Sequence, residues 1–135
     1  CENTSVRNAV IGHGYGKGLQ LQPMGPMNCY EPVGGLRAST GFLAEYLQSL
    51  LSPDSVPALS TALRRSMQIE MDTSGTEAAF SWRIRQIDAA KIHYHSGFVR
   101  SCKSCIMFSR DMERGLAYIS NTPFHIRSVF DVFMS

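Results

Sequence analysis

Hydrophobic residues are spaced in two different ways along this chain, and the change falls just past its middle. After Gly34-Gly35, the residues Phe42, Leu43, Tyr46, Leu47, Leu50 and Leu51 recur at helical spacing. Ser39 or Thr40 can cap the start of that run, and Ser52-Pro53 ends it. A second helix is predicted from about Val56 to Met71, with Leu59, Leu63, Met67 and Met71 on one face. From Ala78 the period shortens. Phe80 to Ile87 is rich in aromatic and branched residues and breaks at Asp88-Ala89-Ala90-Lys91. Ile92 to Gly97, Cys102 to Phe108 and Leu116 to Ser120 follow, with polar joints of which Arg110 to Gly115 is the clearest. These intervals are too short for a parallel crossover, so the strands are expected to be antiparallel neighbours. Past Pro123, the residues Ile126, Val129, Phe130 and Phe133 make an apolar stripe at helical spacing between His125 and Met134. A helix there would cover one face of the sheet.

The expected fold class is α+β: helices, then an antiparallel meander, then a C-terminal helix. Residues 1–75 are read as loop and helix, 76–122 as strands and 123–135 as the terminal helix, in a single domain or the C-terminal portion of a larger one. Residues 1–35 hold seven glycines and three prolines and read as irregular, with Leu19 to Pro23 extended. Gly12, Gly14, Gly16 and Gly18 alternate with His13, Tyr15 and Lys17. A phosphate-cradling loop should lead from a strand into a helix and end in Lys-Ser or Lys-Thr, which this stretch does not.

Composition narrows the function classes. A 135-residue chain with 44% hydrophobic and 18% charged residues can build a core. Its formal charge of +2, with scattered arginines, argues against nucleic acid as a partner. No window approaches the length of apolar sequence that a membrane-spanning helix needs. Two of the four cysteines form Cys102-x-x-Cys105. On a strand, residues three apart point to opposite faces with Cα atoms about 10 Å apart, beyond disulfide reach. Free thiols are expected there, rather than a zinc or redox pair. Trp82 and Tyr94 read as core aromatics, Arg83 and Arg85 as a solvated strand face.

The stretch with chemical potential is His95-Ser96-Gly97, on the strand that begins near Lys91. Imidazole titrates near neutral pH and can move a proton. A hydroxyl beside it can hydrogen-bond a carboxylate, and glycine lets a strand edge approach a ligand closely. A half-buried histidine with a satisfied ring nitrogen is the plainer reading of His95. His93 shares its face, so a His-x-His metal pair is a further alternative; it needs a third ligand from His13, Asp88 or a cysteine, and no spacing supplies one. No cofactor is expected.

The order of landmarks resembles the C-terminal half of the serine β-lactamase and penicillin-binding family, in its class C β-lactamase, D-alanyl-D-alanine peptidase and esterase branch. Gly34-Gly35-Leu36-Arg37-Ala38-Ser39-Thr40 and the helix after it are similar to that branch's Gly-Gly-Leu-x-Ser-Thr segment. His95-Ser96-Gly97 resembles its third active-site box, His13-Gly14-Tyr15 a Gly-Tyr after its second, and Phe108 to Asn121 the strand, turn and strand that follow the third. The resemblance covers roughly residues 9–134. It implies an upstream serine that attacks an amide, lactam or ester carbonyl. His95 would hold a substrate carboxylate or assist proton transfer, Ser96 would bond the same carboxylate, Gly97 would give access, and the Phe98 N–H would be one of two oxyanion donors. Two boxes of the plan are missing. None of Lys17, Lys91 or Lys103 has a serine three residues earlier, and no tyrosine is followed two residues on by asparagine. Ser101 also stands where the family often has glycine.

The chain is therefore expected to be a C-terminal portion, inactive alone, acting on a small-molecule or peptide acyl substrate once completed. Sheet edges and one bare sheet face would call for a partner, either the missing N-terminal half or a second copy. The resemblance alone favours a periplasmic or cell-envelope location. A non-catalytic binding or scaffolding relative is the alternative, and a small metal-binding domain using His93 and His95 a third.

Overall fold

A computed structural model describes residues 12–16, 18–22, 31–73, 76–99, 102–122 and 125–135. The glycine-rich stretch forms a hairpin, β1 (Gly12–Gly16) with β2 (Gly18–Gln22). One helical turn, α1 (Glu31–Gly34), precedes α2 (Thr40–Leu51), a 3₁₀ turn (Pro53–Ser55) and α3 (Ser60–Ser66). Six strands then pair in sequence order as one antiparallel sheet: β3 (Ile69–Thr73), β4 (Thr76–Ala79), β5 (Arg83–Ile87), β6 (Ala90–Val99), β7 (Cys102–Ser109) and β8 (Arg114–Ser120). The chain continues into α4 (Ile126–Met134). The α+β layout, with a meander and a terminal helix, is as the sequence pattern predicts. Among the described residues no helix is long and apolar enough to cross a membrane.

Helix α2 starts where expected. Ser39 sits in extended backbone and its hydroxyl accepts from the Phe42 N–H at 3.1 Å. Such a cap is worth about 1 kcal/mol. Ser52 closes the other end, donating its N–H to the Gln48 carbonyl before Pro53 breaks the helix.

The second helix departs from its predicted span. Only Ser60–Ser66 is α-helical, and Asp54 steadies its start, accepting from the Ser60 hydroxyl at 2.9 Å and pairing with Arg64. Met71, expected on its apolar face, lies in β3 instead. Pairing of Asp72 with Glu77 and of Thr73 with Thr76 overrides the helical spacing of Met67 and Met71. Pairing in the six-stranded sheet thus begins at Ile69, inside the stretch read as loop and helix, and the β1–β2 hairpin likewise replaces part of the stretch read as irregular. The strand read from Phe80 to Ile87 is shorter than expected, beginning at Arg83. Ala79 and Trp82 exchange both backbone hydrogen bonds, at 2.9 and 3.4 Å, around a tight turn at Phe80-Ser81.

Both faces of the sheet carry helices, so the expectation of one bare face is not met. On one face α2 and α3 bury Leu47, Leu50 and Leu63 against Ala79, Trp82, Ile84 and Phe108, with Ile106 and Ala117 alongside. On the other, Val129, Phe130 and Phe133 of α4 pack against Ile92, Cys105 and Met107. Strand alternation accounts for the division. The pairs Ile84–His93 and His93–Phe108 face α2 and α3, whereas Arg85–Ile92 and Tyr94–Met107 face α4. Gly115 lets α2 come close, since a Cβ there would lie 3.1 Å from Leu47 Cδ2.

Trp82 is buried as expected, and Tyr94 packs edge-on against Phe130 with ring centroids 5.0 Å apart. Arg83 and Arg85 are exposed, and the Arg85 guanidinium lies 5.2 Å from the Phe130 ring centroid.

Candidate functional site

His95, Ser96, Gly97 and Phe98 occupy the outer half of β6, and the sheet around them is lopsided. Strand β5 pairs with β6 only from Ile87–Ala90 to Arg83–Tyr94, because the chain before Arg83 turns back into β4. Strand β7 follows β6 to the pair Val99–Cys102. The segment His95 to Val99 therefore has β7 on one side and no paired strand on the other among the described residues.

The direction of each backbone group on that segment follows from the ladder. Trp82 bonds Ala79, so the even-numbered residues Trp82 and Ile84 turn their N–H and C=O toward β4. Arg83, Arg85 and Ile87 then turn theirs toward β6, where they meet Tyr94, Ile92 and Ala90. A separate bond agrees with this: the Lys91 N–H donates to Asp111 Oδ2 at 2.8 Å, on the β7 side. Continued alternation directs His95 and Gly97 into the β7 ladder and directs Ser96 and Phe98 to the unpaired edge. The Phe98 N–H and the Ser96 N–H and C=O thus share one open edge, with Phe98 about 13 Å beyond the last β5 pair.

The side chains divide between the faces. His95 lies on the α2 side and Ser96 on the α4 side, both exposed. The structure does not bring imidazole and hydroxyl onto one face; they can meet a common ligand only around the strand edge. Phe98 is 59% exposed. At Gly97 an added Cβ would make only an ordinary 3.5 Å contact with the Ser104 hydroxyl, so packing does not require glycine there. Short helix α1 lies against β6, which carries Gly34-Gly35 toward this strand. His13 and Tyr15 lie in β1, and their side chains fall outside the described residues.

Among the described residues neither alternative grouping of side chains assembles. Cys102 and Cys105 are free thiols on opposite faces of β7. Burial pushes the Cys105 thiol up to about 11, so it is an inert core group. No group of three or more metal-ligating side chains forms among the described residues, and His93 turns into the core while His95 stays outside it.

One feature of the surface was not legible from the sequence. An open polar cleft of about 810 Å³ lies at the opposite end of the sheet, lined by Gln48, Ser52 and Ser55 beside Arg110, Asp111 and Glu113. The end of α2 and the β7–β8 turn are far apart in the chain, and no motif links them. It lies well away from His95.

No protein-family model matches the chain, and no curated protein matches it.

Proposed function

We propose that this chain supplies one wall of an acyl-transfer site of the penicillin-recognising serine hydrolase type, with the nucleophile contributed from outside it. The observation that carries the reading is the open edge of β6, where the Phe98 N–H points away from the β7 ladder beside exposed His95 and Ser96. An N–H fixed by a strand is a preorganised donor for the oxyanion that forms when a carbonyl is attacked. One donor of a pair is worth about 3 kcal/mol of transition-state stabilisation. His95 is placed to guide a substrate carboxylate or a proton around the edge, and Gly97 keeps the strand low enough for a substrate to approach.

The substrate class under this reading is a peptide, lactam or ester bearing a nearby carboxylate. The partner is the upstream half that carries Ser-x-x-Lys, or a second copy that supplies a nucleophile. The test is covalent labelling of the full-length protein with a fluorescent penicillin or a fluorophosphonate, followed by mapping of the labelled residue. A modified serine outside residues 1–135 supports the reading. No labelling by either probe refutes it.

The second reading is a binding module that kept the sheet without the chemistry, and the exposed β6 edge at Phe98 suits an extended peptide added as a strand. It predicts saturable binding of an extended peptide to the β6 edge with no turnover and no covalent adduct.

A further inference from the structure

His93 sits two residues before His95, on the face of β6 that α3 covers. Its ring stacks on Phe108, with centroids 5.0 Å apart and planes 14° apart, and Phe108 meets Trp82 edge-on at 5.0 Å. Nδ1 is buried and has no hydrogen-bond partner among the described residues. The ring also reaches the backbone of Met67, the residue that closes α3. A neutral imidazole suits this niche: one ring nitrogen faces the Met67 backbone, and Nδ1 is left with a bare, buried lone pair. A second proton would create a charged N–H with no acceptor, in a place where burial penalises charge.

We propose that His93 is an acid-sensitive latch between α3 and the sheet, which on protonation loosens the α3 layer while the α4 layer stays packed. The groups around it define the response. Burial holds its pKa below the ordinary histidine value; the Met67 backbone and Asp111 oppose that shift, and Lys91 and Arg110 reinforce it. Flanking Ile84 and Phe108 carry no charge. On α3, Arg64 is paired with Asp54 and Arg65 with Gln68, and His95 on the same strand face is exposed. The folded-state value lies below the unfolded one, so the unfolded chain binds the proton more readily. The latch is fully closed above about pH 6.5 and is released as pH falls through the folded value.

Hydrogen–deuterium exchange on the whole chain, between about pH 7.5 and about pH 5 and corrected for intrinsic rates, tests this. Opening of the Ser60–Met67 amides should increase by up to about tenfold per pH unit, while the Val129–Phe133 amides hold their protection. His93→Gln keeps a donor for Met67 and should flatten the response, whereas His95→Gln should not. NMR titration of the His93 ring in the unaltered protein decides the matter independently of whether the variant folds. A midpoint at or above the ordinary histidine value overturns the latch. So does acid opening of α3 and α4 together, or an unchanged response in His93→Gln.

Discussion

The two halves of the β6–β7 hairpin are built from one continuous ladder yet are opposite in character. In the half nearest the β7–β8 turn, Ile92, Met107, Phe108 and Ser109 are fully buried, and β5, β8 and helices on both faces enclose the pair. A few residues further, His95 and Ser96 are exposed, Phe98 is 59% exposed, and β5 has stopped. The first half is anchored by side chains. The second is held by the β7 ladder, and among the described residues no strand pairs with its other edge. The lesson is that a strand can be rigid where it is not buried, which is what a binding wall requires.

Substitutions can break or sharpen that contrast. Phe108→Ala removes the ring on which Trp82 and His93 rest and should destabilise the protein by about 3–5 kcal/mol in urea unfolding. Phe98→Ala, at the open end, should change stability by no more than about 0.5 kcal/mol. Comparable losses at both positions would abolish the distinction.

Thiol chemistry probes the same ladder. With its pKa raised from 9.0 to about 11 by burial, Cys105 should hold about a hundredfold less thiolate at pH 8 than an ordinary cysteine. Iodoacetamide labelling read by mass spectrometry should leave Cys105 unmodified until the chain is unfolded. Labelling of native Cys105 at the unfolded rate would show that the α4 side of β7 is not closed.

The two glycines of the hairpin region should behave differently. Gly115→Val forces a side chain against Leu47 and should cost about 1–3 kcal/mol. Gly97→Ala meets only an ordinary contact at Ser104, so its stability should stay within about 0.5 kcal/mol of the original while ligand approach to the edge is reduced. A larger stability loss at Gly97 than at Gly115 would assign Gly97 to packing. A gain rather than a loss is expected at Glu113, which holds a left-handed backbone with φ 51 in the β7–β8 turn. Glu113→Gly relieves that strain and should raise stability by up to about 1 kcal/mol in the same urea assay.

Much of this frame was legible in the amino-acid sequence, for reasons visible in particular residues. The predicted break at Asp88-Ala89-Ala90-Lys91 and the polar joint Arg110 to Gly115 contain the β5–β6 and β7–β8 turns, although pairing already resumes at Ala90 and Arg114, and Ser39 caps α2 through its hydroxyl. Other parts depend on partners distant in the chain or on pairing that periodicity does not encode. Met67 and Met71 carry helical spacing, but β3 forms because β4 is there to pair with it. The alternating glycines of β1 and β2 carry weak strand propensity, and cross-strand pairing rather than side-chain burial defines that hairpin. His95-Ser96-Gly97 was recognisable as chemistry, yet the open edge beside it depends on the turn at Phe80-Ser81, which ends β5 four residues short of Phe98. Likewise the separation of His95 from Ser96 by face follows from strand alternation once the register is known.

Residue-resolved amide exchange along β6 tests the central claim most directly. Protection should be high at Ile92 and Tyr94, remain high at Gly97 on the β7 side, and fall sharply at Ser96 and Phe98, whose N–H groups face the open edge. Phe98 and Ser96 as protected as Gly97 would contradict the account, because the wall would then have no free donor to offer.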